Sequence, residues 1–266
     1  MRPYFKNYLY KIFSKFDLVI NVNTPKSKIL SLINSLKPVK TQLDLIRIGT
    51  NGDGGYLIPD DLEGIEACFS PGVDKISEFE LECIKRDMKV FMADWSVEKP
   101  NLDIPETSYN FQKKFIGSIN NEKFITMDSW VNSSQVSKNS DLLLQMDIEF
   151  GEYNTIINMS ETLLKRFRII VIEFHKLHHL WNPQFFDFAS IVFEKLLQNH
   201  VCVHIHPNNC KSADKRLGIE IPRIAEFTFI RKDRVKSYSF QTEYPHPLDF
   251  DNSDYPSIIL PKIWYQ

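Results

Sequence analysis

Apolar residues along this chain follow two rhythms. Short, nearly continuous apolar runs closed by polar or glycine-containing turns predict strands buried on both faces. They fall at Leu43–Gly49, Ile65–Phe69, Lys89–Ala93, Phe124–Met127, Asp141–Asp147, Arg168–Phe174, His200–His206 and Glu226–Arg231, with a last strand at Ser257–Leu260. Between them, stretches with helical spacing or helix-start signals predict helices over Lys26–Leu36, Glu78–Asp87, Tyr153–Lys165 and Phe185–Gln198. Ser77-Glu78-Phe79-Glu80 matches a capping box opening the second of these. Thr50–Tyr56, TNGDGGY, reads as a tight hairpin turn, and also suits a loop whose backbone approaches a ligand closely. Asn101–Ser118 is polar and follows Pro100, so it holds a short helix or a long connection. Strands alternating with helices predict an α/β fold, a parallel sheet with helices on both faces. Residues 43–266 read as one domain and 1–42 as an N-terminal helical extension. Within the extension, Tyr4–Phe16 mixes aromatics with lysines. It suits a helix packed on the domain or on a second copy in a homodimer, or one lying on a membrane surface.

Composition narrows the class. Of 266 residues, 43% are hydrophobic and 25% charged, which argues for a globular chain. A net charge of −2 leaves no electrostatic footprint for nucleic acid. No apolar run approaches the roughly 18 residues of a membrane span, and lysines interrupt any signal-peptide core. Cys68, Cys83, Cys202 and Cys210 lack CxxC spacing and read as free thiols of a reduced, cytoplasmic protein.

The chemistry-bearing residues gather at predicted strand ends. DLLLQMDIEFGEY, Asp141–Tyr153, runs from an apolar strand into Asp147, Glu149 and Glu152. Carboxylates delivered there would line the sheet edge where open α/β folds bind ligands. The plainer alternative is a helix cap at Asp147 and solvated glutamates. The Ile65–Phe69 strand enters Ser70-Pro71-Gly72, and Asp94 closes the next strand 22 positions after Gly72. A glycine turn with an acid about 20 residues on is how a βαβ unit holds a nucleotide-like ligand. Glu173 and His175 leave the Arg168–Phe174 strand with one parity. Strict alternation in HVCVHIH sets Cys202, His204 and His206 on one face and Val201, Val203 and Ile205 on the other. That histidine pair suits a metal, or hydrogen-bonded site or core roles.

Taken in order, nine segments resemble the FkbM-type S-adenosylmethionine-dependent methyltransferases: RIGTNGDGGYLIPDDL, CFSPGVDKISEFELEC, VFMADWSV, FITMDSW, LLLQMDIEFGEY, IVIEFHKL, HVCVHIHPNNC, EFTFIRK and YPHPLDFDN. The resemblance implies a Rossmann-like class I methyltransferase fold, a seven-stranded, mostly parallel sheet with Ile65–Phe69 and Leu142–Asp147 as central neighbours. It implies S-adenosylmethionine as cofactor. Ser70 and Gly72 would approach its amino-acid end with Tyr56 nearby. Asp94 would take the ribose hydroxyls, with Trp95 beside it. Met127 or Asp128 would sit near the adenine, and Asp147 would border the cofactor. Two departures stand out: Val73-Asp74-Lys75 where relatives carry a second glycine, and Phe150 where they carry glycine after Asp-x-Glu.

The same resemblance implies O-methylation of a sugar hydroxyl, on a nucleotide-linked precursor or residue of a bacterial capsular or surface polysaccharide. The hydroxyl proton needs a base. The candidates are His175, His206, Glu149 and Glu173, a histidine being favoured because imidazole titrates close to neutrality. His204, Asn208 and Asn209 are candidates for holding substrate hydroxyls. The reading requires no metal and leaves room for a divalent ion on Asp147, Glu149 and Glu173. Two rivals stand beside it. One is a metal-dependent glycosyltransferase using Asp147-Ile148-Glu149 or Asp249-Phe250-Asp251. The other is a cofactor-binding module without catalysis, suggested by Phe150.

Overall fold

The computed structural model describes residues 22–73 and 76–266, together with Tyr8, Ile12, Phe13 and Lys15. The expected helix Tyr4–Phe16 otherwise lies outside the described residues.

Seven strands build the central sheet: β1 (Ile65–Pro71), β2 (Lys89–Ala93), β3 (Asn110–Gln112), β4 (Asp141–Met146), β5 (Phe167–Phe174), β6 (His200–Pro207) and β7 (Ala225–Arg231). Their spatial order is β6-β7-β5-β4-β1-β2-β3. Pairing is parallel from β5 through β4, β1 and β2 to β3, while β7 runs antiparallel between β5 and β6. Every residue of β5 is buried, the outcome expected of an unbroken apolar run in a sheet covered on both sides.

Six helices are described: α1 (Lys26–Ser35), α2 (Glu78–Lys85), α3 (Met127–Ser133), α4 (Glu152–Asn158), α5 (Glu161–Leu164) and α6 (Pro183–Asn199). One face of the sheet, with Phe69, Leu144, Ile172 and Phe227, forms a core with the apolar sides of α1, α3, α4 and α6. The other, with Cys68, Leu143 and Val171, packs under α2 and a hairpin of Leu45–Ile48 and Tyr56–Pro59. The described residues 24–41 pack on this domain. Ile29, Leu32, Ile33 and Leu36 enter the first core, and Val39–Thr41 pairs with Tyr238–Phe240. Among the described residues no helix is long and apolar enough to cross a membrane, and all four cysteines are free.

The α/β sheet is as expected, and five local expectations are corrected. The third parallel strand is Asn110–Gln112; Phe124–Thr126 instead pairs with Phe115–Gly117 outside the main sheet, and Met127 opens α3. No strand forms at Ser257–Leu260. The helix over Tyr153–Lys165 divides into α4 and α5, because Ser160 caps α5 through its hydroxyl and Met159 is extended. The capping box is absent: the Ser77 hydroxyl makes no cap bond, and Glu80 turns inward to Ser70. The alternation in β6 breaks at a bulge between Cys202 and His204. Ile205 therefore joins Cys202 on the helix-covered core, and Val203 packs in the other.

Candidate active site

The chain leaves β1 toward β2 and leaves β4 toward β5, so the crevice between them is the switch point where open α/β sheets receive ligands. Gly72 and Asp147 meet there. The Asp147 amide donates to the Pro71 carbonyl at 3.2 Å, and the Gly72 amide to the Ala93 carbonyl at 3.0 Å. Gly72 has φ +89°, and a Cβ at that position would run into the Asp147 carbonyl. Only glycine fits this crossing.

A cavity lies on each side of the crossing, and Gly72 and Asp147 line both. The larger, about 580 Å³, is bordered by Ala93, Asp94, Ser96, Ile116, Phe124, Ile148 and Phe150, a size suited to a small organic ligand. Asp94 is held by the Ser96 amide and hydroxyl, at 2.7 and 2.6 Å. The smaller, about 250 Å³, is lined by Asp53, Tyr56, Ile76, Phe79, Glu80 and Gln145. Behind it runs a buried polar chain. Ser70 contacts both Glu80 and the Gln145 carbonyl oxygen, and the Gln145 amide donates to the Tyr56 hydroxyl at 3.1 Å. Burial raises the Glu80 pKa to about 7, against the Ser70 hydrogen bond. Ser70 has one proton to give, so a protonated Glu80 donating to Ser70 completes the chain.

One strand over, β5 delivers Glu173 and His175. The His175 Nδ1 lies 2.9 Å from Oε1 of Glu152, a fully buried residue in the first turn of α4. The Tyr153 hydroxyl donates to the His175 carbonyl at 3.0 Å, fixing the backbone. Glu152 thereby makes Nδ1 the protonated nitrogen and leaves Nε2 as the acceptor. Nε2 lies 3.4 Å from Glu149, 3.4 Å from Glu173 and 3.9 Å from Asp147. Burial lowers the His175 pKa, but the bond to Glu152 and the charges of Glu152, Asp147 and Glu149 outweigh it, for a net rise. Burial also lifts Asp147 to about 7, opposed by His175 and reinforced by Glu152, Glu149 and Asp53. Glu173 is pushed well up by burial, then by Asp147 and Glu226. Asp147, Glu149 and His175 present ligand atoms within 4.8 Å of one another, a group of metal-holding size.

Of the residues singled out in the sequence, Gly72, Asp94 and Asp147 line the larger cavity and Tyr56 the smaller, while Glu149, Glu173 and His175 converge with Asp147. Others go elsewhere. Ser70 is fully buried behind the smaller cavity. Trp95 faces away, its ring beneath Lys113 and Lys123. Met127 is packed in the core, and Asp128 binds the amide and hydroxyl of Ser160, so neither borders either cavity. Asn208 donates to both Glu173 oxygens at 3.3 Å. The Asn209 side chain is fully engaged by Ser253 and Tyr255, which makes it an anchor for the C-terminal segment rather than a hydroxyl donor or acceptor for substrate. His204 and His206 stand apart from His175, beside Asp249.

Two contributors escape sequence reasoning. Glu152 reads as one of several acids after β4, and its contact with His175 spans 23 residues. Glu226 lies opposite Glu173 on one side and His206 on the other, which only the β5-β7-β6 register reveals.

Six parallel strands in this order, with an antiparallel strand inserted next to one edge, are the arrangement of the class I methyltransferase fold. Neither a protein-family model nor a curated protein matches the sequence. Among solved structures, the chain is similar to a TehB-like SAM-dependent methyltransferase from Corynebacterium glutamicum. Identity is 13%, the alignment covers 65% of this chain and 84% of that one, and the TM-score is 0.31. A likeness this loose bears on neither cofactor nor reaction.

Proposed function

We propose that the protein is a S-adenosylmethionine-dependent O-methyltransferase of the FkbM type, acting on a sugar hydroxyl. The observation that carries this reading is the Gly72–Asp147 crossing with Asp94 on one side and the oriented His175–Glu152 pair one strand over. The cradle fits the cofactor: the bare Gly72 backbone admits close approach, Asp94 offers a carboxylate to ribose hydroxyls, and the larger cavity has apolar walls in Ile116, Phe124 and Ile148. Gly72, Asp94, Asp147 and Ile148 would hold it, and when bound it supplies an electrophilic methyl group.

The remaining work falls to the protein. Much of the rate of such a transfer comes from positioning the acceptor oxygen. His175 takes the acceptor proton on Nε2, the nitrogen that Glu152 leaves available. Glu152 and Glu149, whose charges raise the His175 pKa, stabilise the imidazolium that forms, while Glu173, steadied by Asn208, stands beside that nitrogen. Phe250 and Tyr255 are exposed on the C-terminal segment, where they suit stacking on a sugar ring. The choice of a sugar, and of a surface-polysaccharide precursor in particular, rests on the nine-segment resemblance.

A thermal-shift panel tests the reading. S-adenosylhomocysteine alone should stabilise the protein without added metal. Stabilisation only by a nucleotide sugar with Mn²⁺ would assign the site to glycosyl transfer, no response to either would overturn the reading, and stabilisation by S-adenosylhomocysteine without transfer to any acceptor would mark an inert cofactor-binding module. Labelled S-adenosylmethionine with a panel of nucleotide sugars then identifies the acceptor.

A further inference from the structure

At the sheet edge beyond β7, two imidazoles and a carboxylate converge. His204 and His206 lie two residues apart on β6, and Asp249 reaches them from the segment that follows β7. We propose that His204, His206 and Asp249 form a binding site for one divalent transition-metal ion of the zinc class, separate from the methyl-transfer centre.

The geometry has the dimensions of such a site. Zinc binds imidazole nitrogen and carboxylate oxygen at about 2.0–2.2 Å in a tetrahedron, which sets neighbouring ligand atoms about 3.4 Å apart. Asp249 Oδ1 lies 2.8 Å from His204 Nε2 and 3.6 Å from His206 Nδ1, bracketing that spacing. Two imidazoles with one carboxylate favour zinc, cobalt or nickel over magnesium or calcium, which prefer an all-oxygen shell.

The hydrogen bonding points the same way. His206 is 6% exposed; its Nε2 makes no hydrogen bond among the described residues, and its Nδ1 has only the 3.6 Å approach of Asp249. His200, an ordinary buried histidine at the start of the same strand, binds the Phe167 carbonyl at 2.7 Å. A buried imidazole with no close hydrogen bond on either nitrogen is costly unless something else takes a nitrogen. The surroundings also favour a cation. Glu226 is buried across the strand pair from His206, adding a second carboxylate. Arg47 is a permanent cation nearby, but its donors go to the carbonyls of Thr50, Gly52 and Leu248.

The ligands are also held in place from behind. The His204 ring stacks on Tyr244 with centroids 5.6 Å apart, and the second Asp249 oxygen accepts from the His246 amide at 2.8 Å. A cavity of about 140 Å³ touching His206 and Asp249 leaves room for a further ligand. The bound ion would pin the segment carrying Tyr244, Asp249 and Phe250 onto β6.

The test uses the full chain without a polyhistidine tag, stripped with chelator and titrated with Co²⁺. One equivalent should bind, give the visible d–d bands of tetrahedral cobalt, raise the melting temperature, and be displaced by Zn²⁺. His206→Gln should abolish the bands, and Asp249→Asn supplies the same readout should the first variant not fold. Glu149→Gln, in the other carboxylate–imidazole group, should keep them. No stoichiometric Co²⁺ binding, bands that survive His206→Gln in the folded protein, or bands lost in Glu149→Gln would each overturn the proposal. None of these readouts depends on methyl transfer.

Discussion

Strands β4, β5 and β7 each carry charge at both ends of the sheet, and the two ends treat it oppositely. At the lower edge Asp141, Arg168 and Arg231 interlock. Asp141 meets Arg168 at 2.7 Å and Arg231 at 2.6 Å, while Asp61 joins Arg234 at 2.7 Å. At the upper edge the same strands place Asp147, Glu173 and Glu226 side by side, with no arginine bonded to any of them among the described residues. Burial alone would raise the Asp141 pKa, but Arg231 and Arg168 outweigh it and hold it below the usual range. Asp147, one strand length away, is raised to about 7. Complementary pairs make the lower edge a clamp, and crowded acids make the upper edge a place that holds protons.

Chemistry should therefore be lost at one end and stability at the other. His175→Gln should lower kcat by about 10²–10⁴-fold with little change in melting temperature, since removing a general base costs on that order. Glu152→Gln keeps the shape but removes the charge that raises the His175 pKa, so the acid limb of the pH–rate profile should move to lower pH. An unmoved limb would detach Glu152 from catalysis. At the other end, Asp141→Asn leaves Arg168 and Arg231 without their shared partner. It should cost about 3 kcal/mol by denaturant unfolding, while kcat per folded molecule holds.

How stability varies with pH separates the two ends further. A carboxyl raised in the fold keeps a proton that the unfolded chain has lost. Asp147 therefore makes stability fall as pH rises from about 4 to about 7. Asp141 is depressed, so its contribution is complete above its ordinary pKa and lost as pH falls through the lowered value. Glu173→Gln replaces a raised acid by a neutral isostere and should gain about 1–2 kcal/mol at pH 8, at the expense of turnover. A destabilised Glu173→Gln would show that the upper acids are compensated after all.

What the sequence discloses follows from the range of the forces involved. The buried strands β1, β4 and β5 announce themselves because burial on both faces demands an apolar run, and their exits mark Gly72, Asp147 and Glu173. β3, with the residues Asn-Phe-Gln, is an edge strand held by pairing with Phe91–Ala93, and carries no such signature. The bulge in β6 is invisible for the same reason: it is a property of pairing with β7 rather than of β6 itself. Glu80 reads as a helix cap because the local pattern offers that partner, yet the fold supplies Ser70 ten residues away. The carboxylates Glu152 and Asp249 acquire their histidines only through tertiary structure, across 23 and 45 residues.

The smallest effect concerns backbone strain beside the upper acids. Glu149 and Phe150 have φ of 52° and 84°, and Lys176 after β5 has 56°, so left-handed residues face one another across the β4–β5 exits. Phe150 follows the Asp-x-Glu run, and its backbone adopts a conformation that suits glycine. The ring offsets that cost: it stacks on Phe185 at 5.9 Å, meets Tyr153 edge-on at 5.7 Å, and lies under the Lys176 ammonium at 4.1 Å. Phe150→Ala removes the ring and keeps the strain, whereas Phe150→Gly removes both. The glycine variant should be the more stable of the two by about 1 kcal/mol in chemical denaturation, the low end of the cost of a strained residue. Equal stabilities would mean that the strain is negligible and that the aromatic contacts alone hold Phe150 at the cavity wall.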